Sequence, residues 1–432
     1  MRLVVHPARR PLQGRTRPPG DKSVSHRLAI LGALAEGETV ITGYLDSADT
    51  HATLEAVRAL GAVVRLAGEA LVVAGAPWRV PENPLDLGNS GTGMRLLAGA
   101  LAGHPALFGE SVTLTGDDSL SRRPMRRIID PLSLMGADIG ADSGHAPLLI
   151  RPRALTGTSH ELPVASAQVK SAILLAGLQA HGDTFVREPA ASRDHTERLL
   201  PAFGAVVACS GRQVHVRGPQ SLRGCEAQVP GDLSSAAFIL AAGLLVPESE
   251  VIVDDVGLNP TRDGILRIFE RMGAEFDQVA LPGLGDEPMG QLTARATPLA
   301  GTQVPPEWVP LAIDEFPLLM AVAAASEGET VITGAAELRV KESDRLALMS
   351  VQLQRLGVRV EEQPDGARVW GGPVRGGTVT SGGDHRIAMS LAVLALVAEE
   401  PVVIEEAQWL RTSYPGFVED LTALGAEAAW QS

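Results

Sequence analysis

The sequence predicts an α/β protein of two domains, each built from three copies of one unit. Three observations carry this. The octapeptide E-G-E-T-V-I-T-G stands at Glu36–Gly43 and again at Glu327–Gly334. Around it a longer order recurs: an apolar helix, a β-branched strand, a second helix, a glycine and another strand. The first helix of each copy is nearly all Ala, Leu, Ile, Val and Gly, so it is apolar all round and belongs inside.

Six copies follow in order. Their first helices open near Ser25, Met94, Val169, Ser234, Phe316 and Ile387. Their strands include Val40-Ile41, Val112-Thr113-Leu114, Thr184-Phe185-Val186, Val251-Ile252-Val253, Val331-Ile332 and Val402-Val403-Ile404. Each second helix stops at a glycine: Gly61, Gly136, Gly204, Gly273, Gly357 and Gly425. A residue without Cβ enters the left-handed conformation at a helix end at little cost. Units of about 70 residues, three to a domain, agree with ordinary domain size. Pro19-Gly20-Asp21 and Pro230-Gly231-Asp232 read as matching connectors. They assign 20–228 to one domain and 1–19 with 229–432 to the other, with the site expected in the cleft between them.

The chain has 432 residues, 45% hydrophobic, enough for large cores. A net charge of −14 and 3% aromatic content disfavour nucleic-acid binding, which needs a cationic footprint and stacking platforms. Cys209 and Cys225 alone make neither a disulfide framework nor a four-ligand zinc motif, so no metal is expected. No apolar run reaches membrane-spanning length, and Met1–Gly20 lacks an apolar signal core. A cytoplasmic, monomeric enzyme with no membrane partner is the expectation.

Polar residues gather where the apolar helices begin. Lys22, Ser23 and Arg27 open the first, and free N–H groups beside Lys, Ser and Arg suit a phosphate or carboxylate. Gly88-Asn89-Ser90-Gly91-Thr92-Gly93 opens the second as a glycine-rich lead-in that backbone N–H groups could line for an anion. Arg122 or Arg123 is a ligand candidate before Pro124, which fits the first position of the next helix. Ser166-Ala167-Gln168 opens the third helix, either as caps or as substrate contacts. Arg193 precedes a segment in which Asp194 and Glu197 read as caps and His195 as structural. In the second domain Asp314 and Glu315 precede the fifth apolar helix, and Glu315 reads as a cap. Lys341 and Arg345, four apart, read as one helical face that needs an anion between its like charges. Gly383-Asp384-His385-Arg386 opens the sixth helix. Helix starts this rich in cations imply a site for small polyanions within an acidic protein.

Taken in order, D-K-S-x-S-H-R (Asp21–Arg27), G-N-S-G-T-x-x-R (Gly88–Arg95), Arg123-Pro124, S-A-Q-x-K-S (Ser166–Ser171), S-R-D-H-T-E (Ser192–Glu197), Asp314-Glu315, R-V-K-E-S-D-R (Arg339–Arg345) and D-H-R (Asp384–Arg386) resemble the 5-enolpyruvylshikimate-3-phosphate synthases over essentially the whole chain. The resemblance implies an inside-out α/β fold of two domains that closes on phosphoenolpyruvate and shikimate 3-phosphate, without a cofactor. By resemblance Lys22, Ser23, Arg27, Ser166, Ala167, Gln168, Arg193, Asp314 and Lys341 hold shikimate 3-phosphate. Lys22, Gly91, Arg123, Gln168, Arg345 and Arg386 hold phosphoenolpyruvate. Asp314 is implied as the base, and Lys22 or Glu342 as the acid that protonates C3.

Charge arithmetic agrees. Two phosphates at about −1.5 to −2 each, with two carboxylates, bring roughly −5 to −6. Lys22, Arg27, Arg123, Arg193, Lys341, Arg345 and Arg386 supply seven positive charges before Asp314 and Glu342 subtract. A lysine that one family branch carries near its C-terminus is replaced here by Thr412, beside Arg411. The nearest rival, a UDP-N-acetylglucosamine enolpyruvyl transferase, typically has a reactive cysteine before the Arg-Pro pair. The stretch Asp117–Arg123 has none.

Overall fold

A computed structural model of the chain describes residues 1–283 and 286–431. It is α/β and divides into two compact units. One comprises 20–230 with 283–287; the other comprises 1–19, 231–282 and 288–432.

In the unit 20–230 the apolar helices are α1 (Lys22–Leu34), α2 (Gly91–Ala102) and α3 (Ala167–Gly177). In the other they are α4 (Leu233–Leu245), α5 (Phe316–Ala324) and α6 (His385–Ala395). All nine residues of α5 and all eleven of α6 are buried, as an all-apolar surface requires. Each unit has one hydrophobic core around its three helices.

Among the described residues each unit also has three small sheets, and the sheets repeat one design. A strand following the buried helix pairs antiparallel with a later hairpin, except in the sixth copy, where Val402–Glu405 pairs with the N-terminal strand Arg2–Val5. On its other edge it takes a parallel strand from a neighbouring copy. Leu85–Asp86 pairs in this way with Val112–Thr115, and Ser159–Glu161 with Gly182–Arg187. Glu226–Gln228, at the end of the third copy, returns to Glu38–Thr42 of the first and so closes the set. In the fifth copy two isolated parallel bridges, Ala300 with Glu327 and Gln303 with Val331, occupy the equivalent edge.

The repeated octapeptide folds alike in both places. Its strands are Glu38–Thr42 and Glu329–Ile332. Gly37 and Gly328 have φ of 88° and 85°; Gly43 and Gly334 have 69° and 76°. All six helix-stop glycines have positive φ, from 80° at Gly204 to 119° at Gly61. The two Pro-Gly-Asp connectors also match. Asp21 N–H donates to the Pro230 carbonyl at 2.7 Å, and Asp232 N–H to the Pro19 carbonyl at 2.8 Å. Each aspartate then caps its buried helix, Asp21 on Val24 N–H and Asp232 on Ser234 N–H. Among the described residues no helix is long and apolar enough to cross a membrane.

Candidate active site

The polar side chains that open the buried helices form one cluster in each unit. In the unit 20–230 its centre is Arg27, which lies almost wholly buried on α1. Its Nε donates to Thr196 Oγ1 at 2.7 Å, Nη1 to the Ser23 carbonyl at 2.9 Å, and Nη2 to Ser171 Oγ at 2.9 Å. None of these partners is a carboxylate. Burial outweighs the attraction of Glu197 and Asp21 and lowers the guanidinium pKa to about 10. Arg193, half-buried ahead of the helix His195–Leu199, pushes it the same way. A cation held in this manner is a ready partner for an anion.

Arg123 is similar. Its Nη2 donates to Asn89 Oδ1 at 2.5 Å and to Ser119 Oγ at 3.4 Å. Gly91, the first residue of α2, lies against it. A Cβ there would sit 3.0 Å from Arg95 Nη1 and 3.2 Å from Arg123 Nη1, so the glycine lets two guanidinium groups approach one helix start. Arg95 Nη1 also donates to Gln168 Oε1 at 2.5 Å, and Gln168 Nε2 to Thr92 Oγ1 at 2.9 Å. Gly91, Arg123 and Gln168 thus meet at the starts of α2 and α3. Lys22 is held differently from Arg27 and Arg123: its Nζ lies 2.9 Å from Asp49 Oδ2. Below it His26 bonds Thr53 through Nδ1, and burial drops its pKa to about 3.

Beneath the starts of α1 and α3 runs a buried ionic group. Lys170 Nζ lies 2.7 Å from Glu188 Oε2 and 2.8 Å from Glu197 Oε1. Burial works to lower the Lys170 pKa, yet the two glutamates hold it above its ordinary value. Glu197 is therefore not a helix cap: it is an ion-pair partner of Lys170, and Asp194 makes no side-chain cap either. Ser166 caps α3, with Val169 N–H donating to its hydroxyl. Ala167, the first residue of α3, is half-buried. His195 is buried against Glu287, Nδ1 to Oε1 at 3.0 Å.

The second unit arranges its charges differently. Arg345 is 1% exposed at the start of the helix Arg345–Arg355. Its Nε lies 2.8 Å from Asp384 Oδ2, its Nη2 2.8 Å from Glu342 Oε2, and its Nη1 3.5 Å from Asp314 Oδ1. Burial opposes the charge, but these three carboxylates together raise the Arg345 pKa well above its usual value. Asp384 is correspondingly lowered: burial would raise it, and Arg345 overrides that. Lys341 Nζ lies 3.3 Å from the same Asp314 oxygen. Arg386 Nη1 bonds Glu315 Oε1 at 3.1 Å and the Asp314 carbonyl at 3.0 Å. Glu315 also accepts from Ser234, whose hydroxyl accepts from Arg262 Nη2 at 2.6 Å; Arg262 in turn pairs with Asp232 at 2.8 Å.

Several sequence expectations need correction here. Lys341 is not on a helix with Arg345. Asp344 caps Ala347 N–H, so the helix starts only at Arg345 and Lys341 stays extended. The anion required between the two cations is nonetheless present, as Asp314. Glu315 is no cap; it is a buried partner of Arg386. Pro124 precedes its helix instead of starting it, because Met125 takes the cap position and Arg126 begins the helix Arg126–Leu134. Arg411 lies over the Trp430 ring at 4.7 Å, and Thr412 donates to the Trp409 carbonyl.

Asp49, Thr196, Glu188, Asp384 and Glu315 act in these clusters but were not singled out as site residues in the sequence. Thr196, Glu315 and Asp384 lie inside stretches quoted above, whereas Asp49 and Glu188 lie outside them.

A family model described as EPSP synthase (3-phosphoshikimate 1-carboxyvinyltransferase) matches residues 7–421. The 3-phosphoshikimate 1-carboxyvinyltransferase of Alkalilimnicola ehrlichii is 53% identical over 417 residues, 94% of this chain and 92% of that protein. The protein of the same name from Thermus thermophilus is 50% identical over 420 residues, 96% of this chain and 97% of its own length. Among solved structures, an EPSP synthase from Acinetobacter baumannii superposes with a TM-score of 0.88 at 41% identity, covering 99% of this chain and 100% of that one. The chain belongs to the EPSP synthase family.

Proposed function

We propose that this chain transfers the 1-carboxyvinyl group of phosphoenolpyruvate to the 5-hydroxyl of shikimate 3-phosphate and releases phosphate. The observation that carries the reading is the pair of cation clusters at the helix starts, in a chain that matches this family from residue 7 to 421. Lys22, Ser23, Arg27, Ser166, Ala167, Gln168, Arg193, Asp314 and Lys341 bind shikimate 3-phosphate. Lys22, Gly91, Arg123, Gln168, Arg345 and Arg386 bind phosphoenolpyruvate. Arg27, with hydroxyl and carbonyl partners only, gives a phosphate a cation that no carboxylate must first release.

The chemistry is addition followed by elimination. Asp314 takes the proton of the 5-hydroxyl while that oxygen bonds to C2 of phosphoenolpyruvate. C3 gains a proton from Lys22 or Glu342 and becomes a methyl group. The tetrahedral adduct then breaks its C2–O bond to phosphate, and the methyl group returns one proton. Asp314 starts between Lys341 and Arg345. An anion that draws those cations away frees the carboxylate to accept a proton. The arginines stabilise the charge that develops at the phosphate and carboxylate.

The test is to mix the protein with both substrates and measure phosphate release, with UDP-N-acetylglucosamine replacing shikimate 3-phosphate in a parallel sample. Release with shikimate 3-phosphate alone is expected. Release with the sugar nucleotide alone would overturn the substrate assignment.

A further inference from the structure

Glu188 stands outside every motif quoted above, at the end of the strand segment Gly182–Arg187. Its side chain is nevertheless among the most enclosed carboxylates of the unit 20–230, at 5% exposed. Oε1 accepts two hydrogen bonds. One comes from the Ser166 backbone N–H at 3.1 Å, the other from the Ser192 hydroxyl at 2.6 Å. Oε2 accepts from Lys170 Nζ at 2.7 Å. One carboxylate thus ties the first turn of α3, Ser166–Gln168, to the turn of chain at Ser192–Arg193 that leads into the helix His195–Leu199, 26 residues apart by their serine numbers (192 − 166). Lys170 sits one turn along α3 and fixes the opposite edge of that carboxylate. Through Glu197 and the neighbouring Thr196, the same ionic group reaches the hydroxyls that hold Arg27.

We propose that Glu188 is a positioning residue for shikimate 3-phosphate, setting the spacing of two turns that grip the ligand while touching none of it. The inference rests on the assignment of those turns under the proposed function. Its physical basis is that a charged acceptor serves both turns at once. A neutral amide cannot replace it. With its oxygen toward the serines, the Glu188→Gln side chain presents NH2 to the Lys170 ammonium. With its oxygen toward Lys170, it loses the bond from Ser166 N–H, donor facing donor. Hydrogen bonds to a buried charged group are among the stronger ones, so the loss should be visible in ligand affinity.

The experiment measures shikimate 3-phosphate binding to the full chain by calorimetry without phosphoenolpyruvate, and the KM for each substrate in turnover. It compares wild type, E188Q and S192A. E188Q is expected to weaken shikimate 3-phosphate by at least about ten-fold. Its KM for phosphoenolpyruvate, at saturating co-substrate, should stay within about two-fold of wild type. S192A breaks one of the two serine contacts and leaves Glu188 paired with Lys170, so about a three-fold weakening is expected. The E188Q/S192A double variant, measured in the same way, should lose less than the two single losses combined, because Ser192 acts through Glu188. Hydrogen exchange at the Ser166 amide should quicken in E188Q and stay slow in S192A. Unchanged shikimate 3-phosphate affinity in E188Q would overturn the inference, as would equal losses for both substrates. If E188Q does not fold, S192A decides: an unchanged affinity there overturns the inference. A wild-type protein that fails to bind shikimate 3-phosphate would sink the functional reading itself, a result distinct from the failure of a variant.

Discussion

The two clusters use the same residue types in opposite ways. In the unit 20–230, Arg27 and Arg123 are held by hydroxyls, an amide and backbone carbonyls. In the other unit, Arg345, Lys341 and Arg386 are each already paired with a carboxylate. Burial lowers the Arg27 pKa to about 10, whereas the carboxylates around Arg345 raise its own. The first arrangement keeps cations ready for an incoming anion, and the lowered Arg27 pKa reflects the cost of burying its charge without a carboxylate partner. The second already pairs each of these cations with a carboxylate, so binding there means exchanging partners. A base that starts inside that second network can be released by the substrate that needs it.

This contrast can be broken in several places. The largest expected effect is at Asp314. Asp314→Asn keeps the shape but removes the proton acceptor, so turnover should fall by about 10²- to 10⁴-fold with only a modest change in ligand binding. Steady-state kinetics beside calorimetry checks it, and near-normal turnover would remove Asp314 as the base.

The next effect concerns the low-polarity floor under the first cluster. His26 has its pKa dropped from 6.5 to about 3, so the folded state holds it neutral. As pH falls below 6.5 the unfolded chain takes up this proton and the folded one does not. Stability from this group is therefore complete above that pH and is lost as pH falls toward 3, by at most about 1.4 kcal/mol per pH unit. His26→Gln should show a shallower decline between pH 7 and pH 5 in urea unfolding. Parallel pH profiles for the two proteins would contradict it.

The smallest effect is at Gly91. Gly91→Ala brings a methyl to 3.0 Å from Arg95 Nη1 and 3.2 Å from Arg123 Nη1, so both groups must give by a few tenths of an ångström. The KM for phosphoenolpyruvate should rise several-fold, on the order of 1 kcal/mol, while shikimate 3-phosphate affinity holds. A rise confined to shikimate 3-phosphate would place Gly91 in the wrong half of the chemistry.

How much of this was legible in the sequence follows from the range of each interaction. The repeat was readable because its marks are local: six glycines that must take positive φ, and helices with no polar face. The cations at helix starts were readable for the same reason. Their partners were not. Asp384 meets Arg345 from 39 residues away, and Glu315 meets Arg386 from 71. Glu188 reaches Ser166 across 22 residues with no pattern to announce it. The error at Lys341 was local, however. Ser343-Asp344-Arg345 carries a cap signal that stops the helix from extending back to it.

The most direct test of the contrast is a matched pair of substitutions, Arg27→Met and Arg345→Met, compared with wild type in urea unfolding without ligand. Arg27→Met strands no carboxylate, and Ser171 and Thr196 keep their mutual bond at 2.7 Å. Its stability should lie within about 1 kcal/mol of wild type, while its affinity for shikimate 3-phosphate falls sharply. Arg345→Met leaves Asp384 buried and deprived of its nearest cation, and should lose about 3–5 kcal/mol. Equal losses in the two variants would contradict the account, because the two clusters would then hold their arginines in the same way.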